Sequence, residues 1–121
     1  MSPRDKPLVW LRGQVRTPPF SSDARIEAGF LLRRLQRGEA LGLPASRPMS
    51  DIGPACHELR IVDGGVNWRI VYHIAIEAIV VLDVFAKKTP TTPQGMIVEC
   101  RKRLAAFQKA VEHKKGAHRA R

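Results

Sequence analysis

The chain has 121 residues, 44% of them hydrophobic, and carries 21 Lys and Arg against 11 Asp and Glu, for a net charge of +10. That length holds one domain with one modest core, and the apolar share excludes wholesale disorder. So large a positive charge calls for a polyanionic partner; a membrane is the weakest choice, because the longest apolar run, residues 78–82, is bracketed by Glu77 and Asp83 and is far too short to span one.

The opening MSPRDKPL lacks the apolar stretch of a signal peptide, so a cytoplasmic location is expected. Residues 6–12 (KPLVWLR) then read as a β-strand, ended by Thr17-Pro18-Pro19. Ser21, Ser22 and Asp23 are helix-capping types, and a first helix over 22–37 carries Ile26, Phe30, Leu31 and Leu35 at helical spacing before Gly38 stops it. Residues 39–54, with Gly42, Pro44, Pro48 and Gly53-Pro54, read as a loop with one helical turn at most. Three strand-like runs follow at 57–62, 66–75 and 78–88, the first two joined by Asp63-Gly64-Gly65, which suits the positive φ angles of a tight hairpin. Thr92-Pro93 opens a last helix, whose apolar stripe is Ile97, Cys100, Leu104, Phe107 and Val111.

The order β-α-β-β-β-α predicts an α+β domain: a twisted, mainly antiparallel sheet with both helices packed on one face and the other face open. A single domain over 1–113 and a flexible, basic tail over 114–121 are expected.

Several chemistries lack their residues. No glycine-rich nucleotide loop, zinc-protease His pair or serine-hydrolase elbow is present, and Asp51, Asp63 and Asp83 are scattered over a loop, a turn and a strand, so neither a cofactor nor a metal is expected. Cys56 and Cys100 have neither metal-ligand nor redox-motif spacing and read as reduced thiols, Cys100 on the core stripe. What remains is a basic set on the three-stranded unit: His57 and Arg60, Arg69 and His73, Lys87 and Lys88. Strand alternation puts Arg69 and His73 on one face, opposite Trp68, Ile70, Tyr72 and Ile74. Lys87 and Lys88 have opposite parity, so at most one of them faces the same site.

E-L-R at 58–60, W-R-I-V-Y at 68–72, F-A-K-K-T-P at 85–90 and R-K-R-L-A-A-F at 101–107, together with L-L-R-R-L-Q-R-G-E at 31–39, resemble the phage-derived, HigB-like branch of the RelE/ParE toxin superfamily in order and spacing. The resemblance implies the toxin of a toxin–antitoxin system: a metal-independent endoribonuclease that cuts mRNA on the ribosome, inhibits translation and is neutralised by a cognate antitoxin, a helix-turn-helix protein. It implies Arg69 as the phosphate-binding arginine, Arg60 as a basic residue on the preceding strand, and Lys88, with its neighbour Lys87, as the late basic residue. His57, His73, Arg101 and Lys102 are expected to contact RNA. Some relatives place a tyrosine near the start of the last helix; here T-P-T-T-P-Q-G-M has none, and Tyr72 is the only tyrosine.

The general base stays open at this point, between a lysine depressed by neighbouring cations and the imidazoles of His57 or His73. Two further activities also stay open: a ParE-like inhibitor of DNA gyrase, and a non-catalytic basic module that binds nucleic acid.

Overall fold

Five strands and two helices follow in the order β1 (Leu8–Trp10), α1 (Ser22–Gln36), β2 (Ser46–Pro48), β3 (Cys56–Asp63), β4 (Val66–Ile74), β5 (Ile79–Ala86) and α2 (Gln94–Arg119). This computed structural model describes residues 4–16 and 19–119, with side chains as far as Lys114. The strands form one sheet in the order β1-β5-β4-β3-β2, in which only the β1–β5 pair is parallel. The mainly antiparallel α+β architecture read from the sequence is therefore present, with β2 as an addition: three residues of the expected loop pair with β3, Arg47 opposite Glu58. Residues 17 and 18 of the strand-ending Thr-Pro-Pro lie outside the described residues. The tail expected from 114 onward begins inside α2, and residues 120 and 121 are not described.

The helices do not share a face, which corrects the one-sided packing expected above. Leu59, Ile61, Ile70, Tyr72, Ile79 and Val81 pack with Ala24, Ala28, Leu31, Leu32 and Leu35 of α1. Val71, Val80 and Leu82, from the other face, pack with Ile97, Cys100 and Leu104 of α2. The reason is legible in β5, whose Ile79–Leu82 stretch is apolar at every position and wholly buried, a composition that only a sheet covered on both sides accommodates. Burying about 25 cal/mol per Å² of apolar surface makes each face worth covering.

Local signals explain the element ends. Ser21 caps α1, its hydroxyl accepting from the Ala24 amide at 3.1 Å, and the Asp63 carboxylate accepts from the Ser21 amide at 2.9 Å, tying the helix start to the β3–β4 turn. Gly38, at φ +93°, ends the helix, and Gly64, at φ +61°, makes the two-residue turn between β3 and β4. In α1 the buried stripe is the expected one only in part: Leu31 and Leu35 face the sheet, but Ile26 and Phe30 are each 61% exposed, and Ala24 and Ala28 take their place. Small side chains let the helix backbone approach the sheet closely, so size decided the contact here, against hydrophobicity. Cys56 and Cys100 are both buried and free, and burial pushes each thiol up to about 11.

Candidate functional site

The α2 face of the sheet is covered only in part. Beyond the end of the α2 contact, this face presents Glu58 and Arg60 from β3 and Arg69 from β4. Arg60 and Arg69 are direct cross-strand partners. Two arginines opposite each other on one face repel, so the pairing is a local cost that the fold alone does not require.

Lys87 joins them through an irregularity in β5. Val71 pairs with Asp83 but the next residue, Tyr72, pairs with Val81, leaving Leu82 as the extra residue of a bulge. Before the bulge the even-numbered Val80 and Leu82 face α2; after it the odd-numbered Phe85 does, opposite Arg69. The bulge is held by Asp83, whose Oδ1 accepts from the Val84 amide at 2.8 Å and whose Oδ2 accepts from Arg103 Nη1 at 3.1 Å. The parity switch turns Lys87 inward, its amide donating to the Asn67 carbonyl at 2.7 Å, and leaves Lys88 exposed at the rim.

At the bottom of this arrangement sits Glu58, 1% exposed. Its Oε1 lies 3.7 Å from Arg69 Nε and 3.8 Å from Lys87 Nζ, and its Oε2 accepts from the Thr92 hydroxyl at 3.5 Å. Thr92, expected as the N-cap of the last helix, thus turns toward the carboxylate, and the Pro93 carbonyl takes the first helical amides. Arg69 is itself only 6% exposed. Its Nη1 donates to the Trp68 carbonyl at 3.0 Å, while its buried Nε has no hydrogen-bond partner among the described residues. Burial pulls the Arg69 guanidinium down from the ordinary arginine range, the Glu58 carboxylate pushes it back up and Arg60 lowers it again. An arginine starting so high stays charged at neutral pH.

Arg47, Arg60, Asn67, Arg69, Lys87, Lys88, Thr89 and Pro90 line a cleft of about 380 Å³ over this pair. The cations form two tiers. Arg69 and Lys87 are inner and tethered to Glu58; Arg47, Arg60 and Lys88 are exposed and have no carboxylate partner among the described residues. Five cations thus line the cleft, two of them resting on the buried carboxylate. A field of one sign in a concave, partly desolvated site attracts and orients a phosphodiester, and the arginine fork can hold two of its oxygens.

All four residues singled out as catalytic, Arg69, Lys88, Lys87 and Arg60, line this one cleft. The four expected to bind RNA do not. His57 points to the α1 face, stacked on Tyr72 with ring centroids 5.4 Å apart. His73 shares the face of Arg69 but lies at the far end, 8% exposed, with Nδ1 donating to the Pro54 carbonyl at 3.0 Å. Burial lowers both imidazoles, with a further push from His73 on His57, so neither serves as a cation for RNA at neutral pH. Arg101 donates from Nε to the Asp51 carbonyl at 2.5 Å, and Lys102 pairs with Glu99 on the outer side of α2. Sequence reasoning missed Arg47, hidden in an apparent loop, and Glu58, which stood only as the first residue of the E-L-R run. Among the described residues no three His, Cys, Asp or Glu side chains are grouped as metal ligands, and no helix is long and apolar enough to cross a membrane.

A five-stranded, mainly antiparallel sheet between two helices is consistent with a RelE-like fold. Residues 19–105 match the family described as Phage derived protein Gp49-like (DUF891), and the chain belongs to that family. The family is associated with toxin–antitoxin systems, which implies an antitoxin as partner. Neither curated proteins nor solved structures gave a significant match.

Proposed function

We propose that this chain is a HigB-like toxin that cleaves mRNA on the ribosome and is neutralised by its antitoxin. The observation that carries the reading is the two-tier cation cleft: Arg69 and Lys87 fixed on buried Glu58, with Arg47, Arg60 and Lys88 free above them. In such cleavage the ribose 2′-oxygen attacks the adjacent phosphorus as its proton leaves. The bond to the 5′-oxygen breaks, that oxygen takes up a proton, and a 2′,3′-cyclic phosphate and a 5′-hydroxyl result. Charge accumulates on the non-bridging oxygens in the transition state, and Arg69 and Lys87, already held in place, meet it without reorganising. Arg60 and Lys88 draw the backbone in and hold flanking phosphates. The cations that stabilise the transition state are side chains, so the reading needs no metal.

Removing one such fixed donor costs about 10²–10³ in rate. Induced expression should therefore arrest growth for the wild type, whereas Arg69→Ala cells should grow. Lys88→Ala, at an exposed position, should lose toxicity with an unchanged melting temperature. If both variants remained fully toxic, the cleft would not be the site of action.

A further inference from the structure

The outer side of α1 carries a stripe that the fold leaves uncovered. Asp23, Ile26, Phe30, Arg34 and Arg37 recur at steps of three and four residues, with Glu27 beside them, so they share the side of the helix away from the sheet. Ala24, Ala28, Leu31 and Leu35 make the opposite, buried side. Ile26 and Phe30, one turn apart, are each 61% exposed. Large apolar side chains scattered singly are ordinary, whereas an adjoining pair set among charges is the makeup of a contact surface.

The order of the charges says what covers it. Both carboxylates lie on the N-terminal side of Phe30 and both guanidiniums on its C-terminal side. Asp23, Glu27 and Arg37 are exposed, and their side chains have no ion-pair partner among the described residues. Arg34 lies over the Phe30 ring, 5.9 Å from its centroid, with its Nε 3.1 Å from Glu39 Oε1. In a chain of net charge +10 this stripe holds two charges of each sign, so nothing in it favours a polyanion. A row that reads acidic, apolar, basic is complementary to its own reverse. Asp23 and Arg37 each stand seven residues from Phe30, while Glu27 stands three before it and Arg34 four after it. Two copies of α1 laid antiparallel, with Phe30 at the two-fold axis, therefore set Asp23 of each against Arg37 of the other, and Glu27 against Arg34. That is the self-complementarity an isologous interface requires. The apolar centre supplies the attraction, and the charges fix the register and direction.

We infer that the outer side of α1 is a homodimer surface, which pairs antiparallel with α1 of a second copy. The cleft is on the other face of the sheet, so both clefts of the dimer stay open and the pairing is independent of what they do.

The test is sedimentation equilibrium of the full chain and three variants at increasing protein concentration. The wild type should pass from monomer to dimer in the micromolar range, as a small interface does. Phe30→Glu, which brings two carboxylates together at the axis, should weaken association by about tenfold or more. Asp23→Arg and Arg37→Asp should each weaken it by about tenfold, because either reversal turns both symmetric pairs into like-charge contacts. An equimolar mixture of these two single variants should dimerise as the wild type does, since every arginine at these positions then meets an aspartate again. Misfolded variants could not restore association in this way. Wild-type protein that stays monomeric throughout would overturn the pairing and leave the stripe to a different protein, the antitoxin first among them. A dimer that survives Phe30→Glu, or a mixture no tighter than its two components, would overturn it as well.

Discussion

Replacing Glu58 by Gln keeps the shape of the side chain and removes the one negative charge under the cleft. The carboxylate is 1% exposed, and Arg69 and Lys87, 3.7 and 3.8 Å away, are each 7% exposed at the side chain, so the variant leaves two cations together with little water to screen them. Removing one partner of a buried pair costs about 3–5 kcal/mol. Glutamine can still accept from Thr92, which places the expected loss near the lower end, about 3 kcal/mol, or roughly 10–15 °C in melting temperature for a domain of this size. The assay is urea unfolding followed by circular dichroism for Glu58→Gln, Arg69→Met and the double variant. In the double variant one stranded cation is gone, so the two losses should fall short of adding by about 1–3 kcal/mol. Inorganic phosphate should also raise the melting temperature of Glu58→Gln more than that of the wild type, because the bound anion replaces the missing charge. Strict additivity, with no added response to phosphate, would refute the claim that Glu58 organises the inner tier.

Three further outcomes follow from the same geometry. His57 and His73 are lowered below 6.5, so the stability they confer as neutral groups is complete above pH 6.5 and is lost as the pH falls through their folded-state values. Asp63, already lowered from 3.8 by the Ser21 amide, titrates well below this window, so unfolding free energies between pH 8 and pH 5 should fall with a slope that His73→Gln reduces. Gly13→Ala should destabilise by about 1–3 kcal/mol in thermal melts, since Gly13 has φ +81° and an added Cβ would lie 2.8 Å from Val84 Cβ, next to the bulge that aims Lys87. Tyr72→Phe breaks the 2.6 Å bond to the Ser46 hydroxyl on the α1 face and should cost about 1–2 kcal/mol while leaving toxicity intact, because the cleft is on the other side of the sheet.

The strands of the β3–β5 unit, the Gly64 turn and the α2 stripe were legible because each rests on a local pattern: alternation, positive φ, or steps of three and four. Arg69 was placed on the right face by alternation alone. The features that escaped depend on tertiary context. β2 has three residues and no alternation, and becomes a strand only because β3 offers it an edge. The choice between Lys87 and Lys88 turns on a bulge at Leu82, inside a run where every residue is apolar, so no pattern marks the parity switch. His73 obeys alternation yet is buried under the loop at Pro54, because a strand face does not reveal where its cover ends. Glu58 is adjacent in sequence to nothing it serves: its partners come from the neighbouring strand, from the end of β5 and from the approach to α2.

The account stands most directly on a map of mRNA 5′ ends by primer extension, taken minutes after induction of the wild-type chain and of Arg69→Ala in the same cells. New cuts inside translated frames, present with the wild type and absent with Arg69→Ala, are the predicted result. Growth arrest with intact mRNA, or cuts that persist in Arg69→Ala, would contradict it.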